Sequence, residues 1–536
     1  MKKIVSLLIL ILFVFGAVAC GQPTNEGDQN GNGGEGIDIT ETYEGTINFC
    51  IPFGADLPAY QKLVEEYNKY QPKVTVKLKN ESTETYSSII QNDILQPYSE
   101  NSINLFSGNY VSALVNDAAV DLYPYILRPN QYTGERWRDC LDTAAYISPG
   151  TNNTTKMMAT NIISVAWYYN KTATTAAGVK AEEIKTWDDL LAACKTMQEA
   201  GYLHPMGVSV ADQSYRGSQL SWLFRVYGDQ YYRDLYDEIQ AQEGDYCYDA
   251  SLEEFVYSED MPQPEDEPGW NMNVLRMQKL MLDKGDPNYA GPTSARYKEL
   301  YTNILKMSPY LQPDILTTSD DLTGKFVAGG KTDPVFYVDV LGFGSKFTSL
   351  IKDSSNPFEL GVFNFPVMEA EATQTRILRS LGGNSAWLAV RETKNKQTNA
   401  MCIDFVKYFM SPAGQEVFIQ ALIENDSSLA GPSTVKGVTY PEEWDVIYNN
   451  PDLEKNGLCD RNQYLTYLII PFEVFSKGES TKMYNLFVEQ VRNGGTPTAQ
   501  FFDEYYDIIY SETERLNQTK AYTRPEAWKT PEISPI

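Results

Sequence analysis

Residues 165–201 read VAWYYNKTATTAAGVKAEEIKTWDDLLAACKTMQEAG, and the fold can be worked out from this stretch outward. Val165 to Tyr169 is a β-branched and aromatic run, the composition of a buried strand, and it stops at Asn170 and Lys171. A turn region with Gly178 follows. Thr186 is placed to cap the next element, because its hydroxyl can accept a free first-turn amide, and Asp188 and Asp189 stand where a helix dipole is positive. Leu190, Leu191, Cys194 and Met197 then recur at helical spacing, and Gly201 ends the helix. Strand, loop and capped amphipathic helix make one α/β unit.

The flanking sequence repeats this kind of unit. Thr46–Phe53 reads as a strand, and Pro58–Tyr70 as a helix with Tyr60, Leu63, Val64 and Tyr67 in one stripe. Val74, Val76 and Leu78 alternate as a half-buried strand, so the opening predicts a mainly parallel sheet. Ile103–Phe106 is the next strand, with Ser107 to Tyr110 as its loop. Downstream, Ser218–Tyr227 reads as a helix containing Trp222. Residues 229–270 are irregular and include SEDMPQPEDEPGW, whose carboxylates lack the spacing of a calcium loop; a solvated surface insertion is expected. Cys402, Phe405, Val406 and Phe409 form one helix face; Ser411, Pro412 and Gly414 end that helix and cap another. Thr498–Asn517 is a further amphipathic helix with Phe502, Tyr505 and Ile509 on one side.

Several of these stretches carry familiar wording. YYNK, AGV, TWDDLL and EAG in 168–201, FVAGGKTDPVFYVDVLGFG at 326–344, GVFNFP at 361–366, and GGNSAWLAV at 382–390 followed by DFVKYFMSPAGQ at 404–415 resemble the family 1 extracellular solute-binding proteins of ABC importers, the carbohydrate-binding group. The resemblance implies an α/β, two-lobed periplasmic-binding-protein-like fold (type II) with discontinuous lobes joined by crossing strands. It implies lobe 1 at 46–160 plus 324–366, lobe 2 at 161–323 plus 367–524, and a tail at 525–536. Carried over position by position, it nominates Phe106, Asn109, Trp167, Tyr168, Trp222, Tyr337, Asp339, Asn384 and Trp387 as ligand contacts. Trp167, Tyr168 and Tyr169 alternate faces on a strand, so only one side of that trio can face a cleft.

The N-terminus adds an address. Lys2 and Lys3 precede an apolar run, Ile4 to Ala19, of roughly 16 residues against the ~20 needed to span a bilayer, so residues 1–20 read as a secretory signal. Ala17 and Ala19 before Cys20 resemble a lipobox, which implies a mature chain starting at a lipidated Cys20 on the extracellular face of a bacterial membrane. Residues 21–45 are rich in Gly, Asn and acidic residues and predict a flexible tether. Loss of the signal moves the formal charge from −27 to about −29, which disfavours a nucleic-acid partner.

The chemistry of the side chains points to binding. His204 is the only histidine, which excludes a two-histidine metal site; it lies just past a helix end, so a structural role is expected. No phosphate-binding glycine loop or dinucleotide turn is present, so no cofactor is expected. Cys50, Cys140, Cys194, Cys247, Cys402 and Cys459 are scattered, and spacing does not choose a pairing among them. Aromatic residues make up 12% of the chain, and a sugar ring needs aromatic platforms with a few polar side chains around them. The reading is a monomeric, non-enzymatic, lipid-anchored protein that captures a saccharide and passes it to permease subunits. The alternatives are a ligand-presenting sensor lipoprotein or a surface carbohydrate-active enzyme or adhesin.

Overall fold

The computed structural model describes residues 39–51, 56–108, 115, 117–142, 145–146, 155–209, 219–235, 238, 274–314, 319–341, 344–376, 378–380, 387–425, 427, 431–441, 454–458 and 477–519. The signal segment, Cys20, the tether through residue 38, most of the acidic insertion, the tail, Asn109 and Asn384 lie outside these residues. No described helix is long and apolar enough to cross a membrane.

The first sheet contains β1 (Gly45–Ile51), β2 (Val74–Asn80), β3 (Leu105–Ser107), β4 (Met158–Ala159) and β10 (Trp387–Val390), in the order β2-β1-β3-β10-β4. β1 and β2 pair in parallel from Gly45 with Val74 to Ile51 with Asn80, as the strand, helix, strand opening predicts. β10 runs antiparallel to β3 and β4. Alternation along β1 serves two cores. Phe49 meets Tyr60 of helix α1 (Leu57–Tyr70) at 5.3 Å, while Cys50 on the opposite face joins Tyr86 and Ile90 of helix α2 (Thr83–Leu95). Ala59, Tyr60, Leu63 and Tyr67 are the buried positions of α1, so all of the expected stripe is covered except Val64, which is half-buried.

The second sheet runs β6-β7-β5-β8, with β5 (Val165–Asn170), β6 (Met206–Gly207), β7 (Phe336–Val340) and β8 (Leu360–Phe363). β5 lies between β7 and β8, antiparallel to both; apart from the two sheets, β9 (Arg379–Ser380) pairs in parallel with β11 (Glu454–Leu458). Both of its faces are packed: Trp167 lies 5.9 Å from Phe365, and Tyr168 lies 4.9 Å from Phe347 on the other side. Helix α3 (Trp187–Glu199) begins at the expected cap. Thr186 Oγ1 accepts from the Asp189 amide at 3.1 Å, and the Asp189 carboxylate accepts from the Thr186 amide at 2.8 Å, a reciprocal capping box. Leu190, Leu191, Cys194 and Met197 form its buried face. Helix α4 (Gln219–Tyr232) is buried along its whole length.

The strand pairings differ from the lobe division expected from sequence. β7 and β8 fall in 324–366, expected with the first lobe, yet both pair with β5. β10, expected with the second lobe, pairs with β3 and β4. Helices α6 (Lys396–Phe409) and α7 (Pro412–Glu424) follow β10, and Phe405 and Phe418 pack on Phe49 and Tyr60 of the first sheet's core. The physical reason lies in FVAGGK. Phe326 to Ala328 close helix α5 (Ser319–Ala328) and Gly329 takes the left-handed φ of +67°, so the strand starts only at Phe336, beside β5.

Candidate functional site

Ligands of open α/β sheets lie outside the carboxyl ends of the strands, where their loops and backbone groups are free to converge. In the first sheet those ends are Ile51, Ser107 and Ala159, and the antiparallel β10 brings the start of its run, Trp387, to the same edge through its pairing with Ala159. In the second sheet the corresponding edge holds Val340, Phe363 and the start of β5 at Val165. Residues 160–164 join the end of β4 at Ala159 to the start of β5 at Val165, six extended steps that span at most about 20 Å, so the two edges meet at this crossing.

Backbone pairing fixes the crossing. Ile162 N donates to Pro432 O at 2.9 Å, Thr434 N to Thr160 O at 3.2 Å, and Leu341 N to Ser164 O at 2.8 Å. Side chains reinforce it: Thr434 Oγ1 donates to Ala159 O at 2.6 Å, and Ser433 Oγ to Gln415 Oε1 at 2.8 Å. Asn161 is buried in this seam, and its Nδ2 has no hydrogen-bond partner among the described residues. At the end of β6 the Ser209 amide donates to Gln219 Oε1, so the first residue of α4 is held against the strand.

The nominated ligand contacts fall into three groups. Phe106, Trp167, Tyr168, Trp222, Tyr337 and Asp339 are buried, and packing neighbours take their surfaces. Phe106 joins Tyr86 and Ile90; Trp167 and Trp222 belong to the large core of the second sheet; Tyr168 and Tyr337 belong to a smaller core with Phe326 and Phe347. Tyr168 Oη donates to Leu341 O at 2.6 Å, which secures the end of β7. Asp339 accepts from the Val340 amide at 2.7 Å, and the Tyr337 phenol beside it is held far above its usual range, first by burial and then by the Asp339 charge. Trp387 is the nominated aromatic that stays partly open, at the edge where the strand ends meet. Asn109 and Asn384 lie outside the described residues.

Sequence reading missed the seam of 431–435 against 160–164, since isolated polar residues after a helix carry no periodic signal. It also missed a groove of about 350 Å³ on the α2 face of the first sheet, lined by Asn48, Lys77, Lys79, Asn92, Asp93 and Gln96. Among the described residues no group of three or more His, Cys, Asp or Glu could hold a metal ion. His204 Nδ1 pairs with the Leu311 carbonyl at 3.0 Å, so the ring fastens a loop. Cys50, Cys140, Cys194 and Cys402 are buried free thiols, whereas Cys247 and Cys459 lie outside the described residues.

Comparison with known proteins agrees with this architecture. The family model described as bacterial extracellular solute-binding protein matches residues 62–424. A family 1 extracellular solute-binding protein from Bifidobacterium longum subsp. infantis superposes with a TM-score of 0.52 at 17% identity, over 88% of this chain and 99% of its own. Apo RafE from Streptococcus pneumoniae gives 0.54 at 13% identity, over 89% and 98%. The cyclic alpha-maltosyl-1,6-maltose binding protein from Arthrobacter globiformis gives 0.55 at 14% identity, over 87% and 98%. At these identities the likeness is one of fold: a two-lobed α/β architecture. No curated protein matches the chain.

Proposed function

The chain belongs to the bacterial extracellular solute-binding protein family, and from that premise we propose that it captures a saccharide by closing two lobes on it and delivers it to the permease of an ABC importer. The family acts outside the cytoplasm. In this reading Cys20 carries the lipid that keeps the chain at the outer face of the membrane, the mature chain is a monomer, and it performs no catalysis of its own.

The observation that carries the reading is Trp387. A half-open indole stands at the edge where the strand ends of both sheets converge, and its flat face suits the C–H face of a sugar ring. Contacts from both sheets exist together only when the lobes are closed, so ligand shifts the population toward the closed form a permease would recognise. The saccharide class draws support from the Arthrobacter globiformis neighbour, whose name states that it binds a cyclic maltosyl-maltose. Asn109 and Asn384, which follow β3 and precede β10 in the sequence, are proposed as polar contacts beside Trp387, with the buried aromatics acting as supports.

The test is a thermal-shift and titration screen of the chain lacking residues 1–20 against glucose, maltose, maltotriose, raffinose and cyclic maltosaccharides. A bound sugar at 100 times its dissociation constant adds about 2.7 kcal/mol of stability. Trp387→Ala is expected to weaken that sugar about tenfold, the equivalent of one lost stacking contact. Absence of a shift with every saccharide, or recovery of a cleaved sugar, refutes the proposal.

A further inference from the structure

In the first sheet β2 lies on one side of β1 and β3 on the other, so the winding reverses between β1 and β3. That reversal is where a ligand crevice opens in α/β sheets. Parallel pairing between these two strands amounts to one residue pair, Phe49 with Leu105. Bonds in a parallel ladder are evenly spaced, and the rung after that pair would join the Ser107 amide to the Cys50 carbonyl.

The Tyr86 hydroxyl sits in that rung. It accepts from the Ser107 amide at 2.8 Å and donates to the Cys50 carbonyl at 2.8 Å. Tyr86 projects from α2, is fully buried, and packs with Ile90, Ile103 and Phe106. A direct amide-to-carbonyl bond measures about 2.9 Å, so an oxygen placed between the two groups widens the strand ends by about 1–2 Å. On the amino side of the same residue pair the Asn104 amide donates directly to the Asn48 carbonyl at 2.9 Å and Asn104 Oδ1 accepts from the Asn48 amide at 2.8 Å, so the strands touch backbone to backbone at that end and through the Tyr86 hydroxyl at the other.

We propose that Tyr86 is a positioning residue for ligand: its hydroxyl sets the separation of β1 and β3 at their carboxyl ends, and with it the placement of Ser107 and Gly108 relative to Trp387. This inference rests on the strand-end site described under Proposed function. Removal of the hydroxyl lets the rung close directly, narrowing the crevice, while the retained ring preserves the apolar packing. Gly108 leaves little slack for that movement, because a Cβ there would meet Met157 Sδ at 2.5 Å and Ala389 Cβ at 3.2 Å.

The experiment compares Tyr86→Phe with Tyr505→Phe in the full chain. Tyr505 is also fully buried and donates to the Met483 carbonyl at 2.9 Å, but it lies in the core of the second sheet. Affinity for whichever of glucose, maltose, maltotriose, raffinose or cyclic maltosaccharides the wild type binds is measured by calorimetry, and exchange of the Ser107 amide by hydrogen–deuterium exchange. Tyr86→Phe is expected to weaken the sugar about tenfold and to change Ser107 exchange, while Tyr505→Phe, at a similar loss of thermal stability, keeps affinity within about twofold. Equal effects of the two variants on affinity, or wild-type affinity in Tyr86→Phe, overturn the inference. If the wild type binds none of these saccharides, the proposed function fails, and Ser107 exchange alone decides on Tyr86: a change supports the bridging role, and no change refutes it.

Discussion

Replacing Gly431 by alanine tests the seam that holds the crossing between the two sheets. Gly431 is buried against 162–164, and a Cβ built on it would lie 1.9 Å from the Ile162 carbonyl oxygen and 2.9 Å from the Ser164 amide nitrogen. Both obstacles are backbone, so neither can rotate away. The two segments must part by about 1 Å, which stretches the 2.9 Å bond from Ile162 N to Pro432 O. Overpacking of this kind costs about 1–3 kcal/mol, and a lost buried backbone bond adds about 1 kcal/mol. Reduced freedom of the unfolded chain returns about 0.4–1 kcal/mol, leaving a net destabilisation of about 1–3.5 kcal/mol. Gly324 provides the contrast, since a Cβ there meets nothing within 4 Å in the exposed part of α5. Gly324→Ala is expected to stabilise by about 0.5–1 kcal/mol through helix propensity. Urea unfolding of both variants, read as a shift in midpoint at constant slope, is the assay. A Gly431→Ala protein within about 0.5 kcal/mol of wild type, a shift typical of a neutral surface change, refutes the seam as a close-packed contact.

Two further expectations follow from local geometry. Thr186→Ala removes one half of the capping box of α3 and is expected to cost about 1 kcal/mol in urea unfolding, with Thr186→Ser retaining most of it; equal loss in both would show that the hydroxyl is not the capping group. Asp404, buried on α6, accepts from Tyr132 at 2.7 Å, Tyr67 at 2.9 Å and Gln131 at 2.6 Å. Burial nevertheless holds its carboxyl above the usual carboxylate value, against the lowering effect of these bonds and of the Lys407 charge. The folded state therefore binds this proton more readily than the unfolded one, and the contribution to stability is complete below the ordinary carboxylate pKa and is lost as pH rises through the raised folded value. Wild type should thus gain in melting temperature relative to Asp404→Asn as pH falls through that window; a constant difference, or a gain with rising pH, contradicts the assignment.

The most legible part of the site was its scaffold. The strand at 165–170, the cap at Thr186 and the buried face Leu190, Leu191, Cys194 and Met197 were all readable, because period, β-branching and capping act between residues a few positions apart. The same holds for α1, for β1 and β2, and for the Ser411 cap, where Ser411 Oγ accepts from the Gly414 amide at 3.2 Å. The identity of ligand-facing aromatics was less legible. Trp167, Tyr168 and Tyr337 have the composition of a sugar platform, yet a strand paired on both edges and packed on both faces turns the same residues into core.

The local units, their α/β order and the family wording all depend on spacing along the chain, so they could be read without coordinates. The tertiary structure alone decided which sheet each strand joins, the placement of β7 and β8 with β5 and of β10 with β3, the seam of 431–435 against the crossing, and the Tyr86 hydroxyl between Cys50 and Ser107. These are contacts between distant segments. Strands covered on both faces show no alternation to announce a partner, so the choice rests on which apolar surfaces and unpaired backbone groups meet when the whole chain packs.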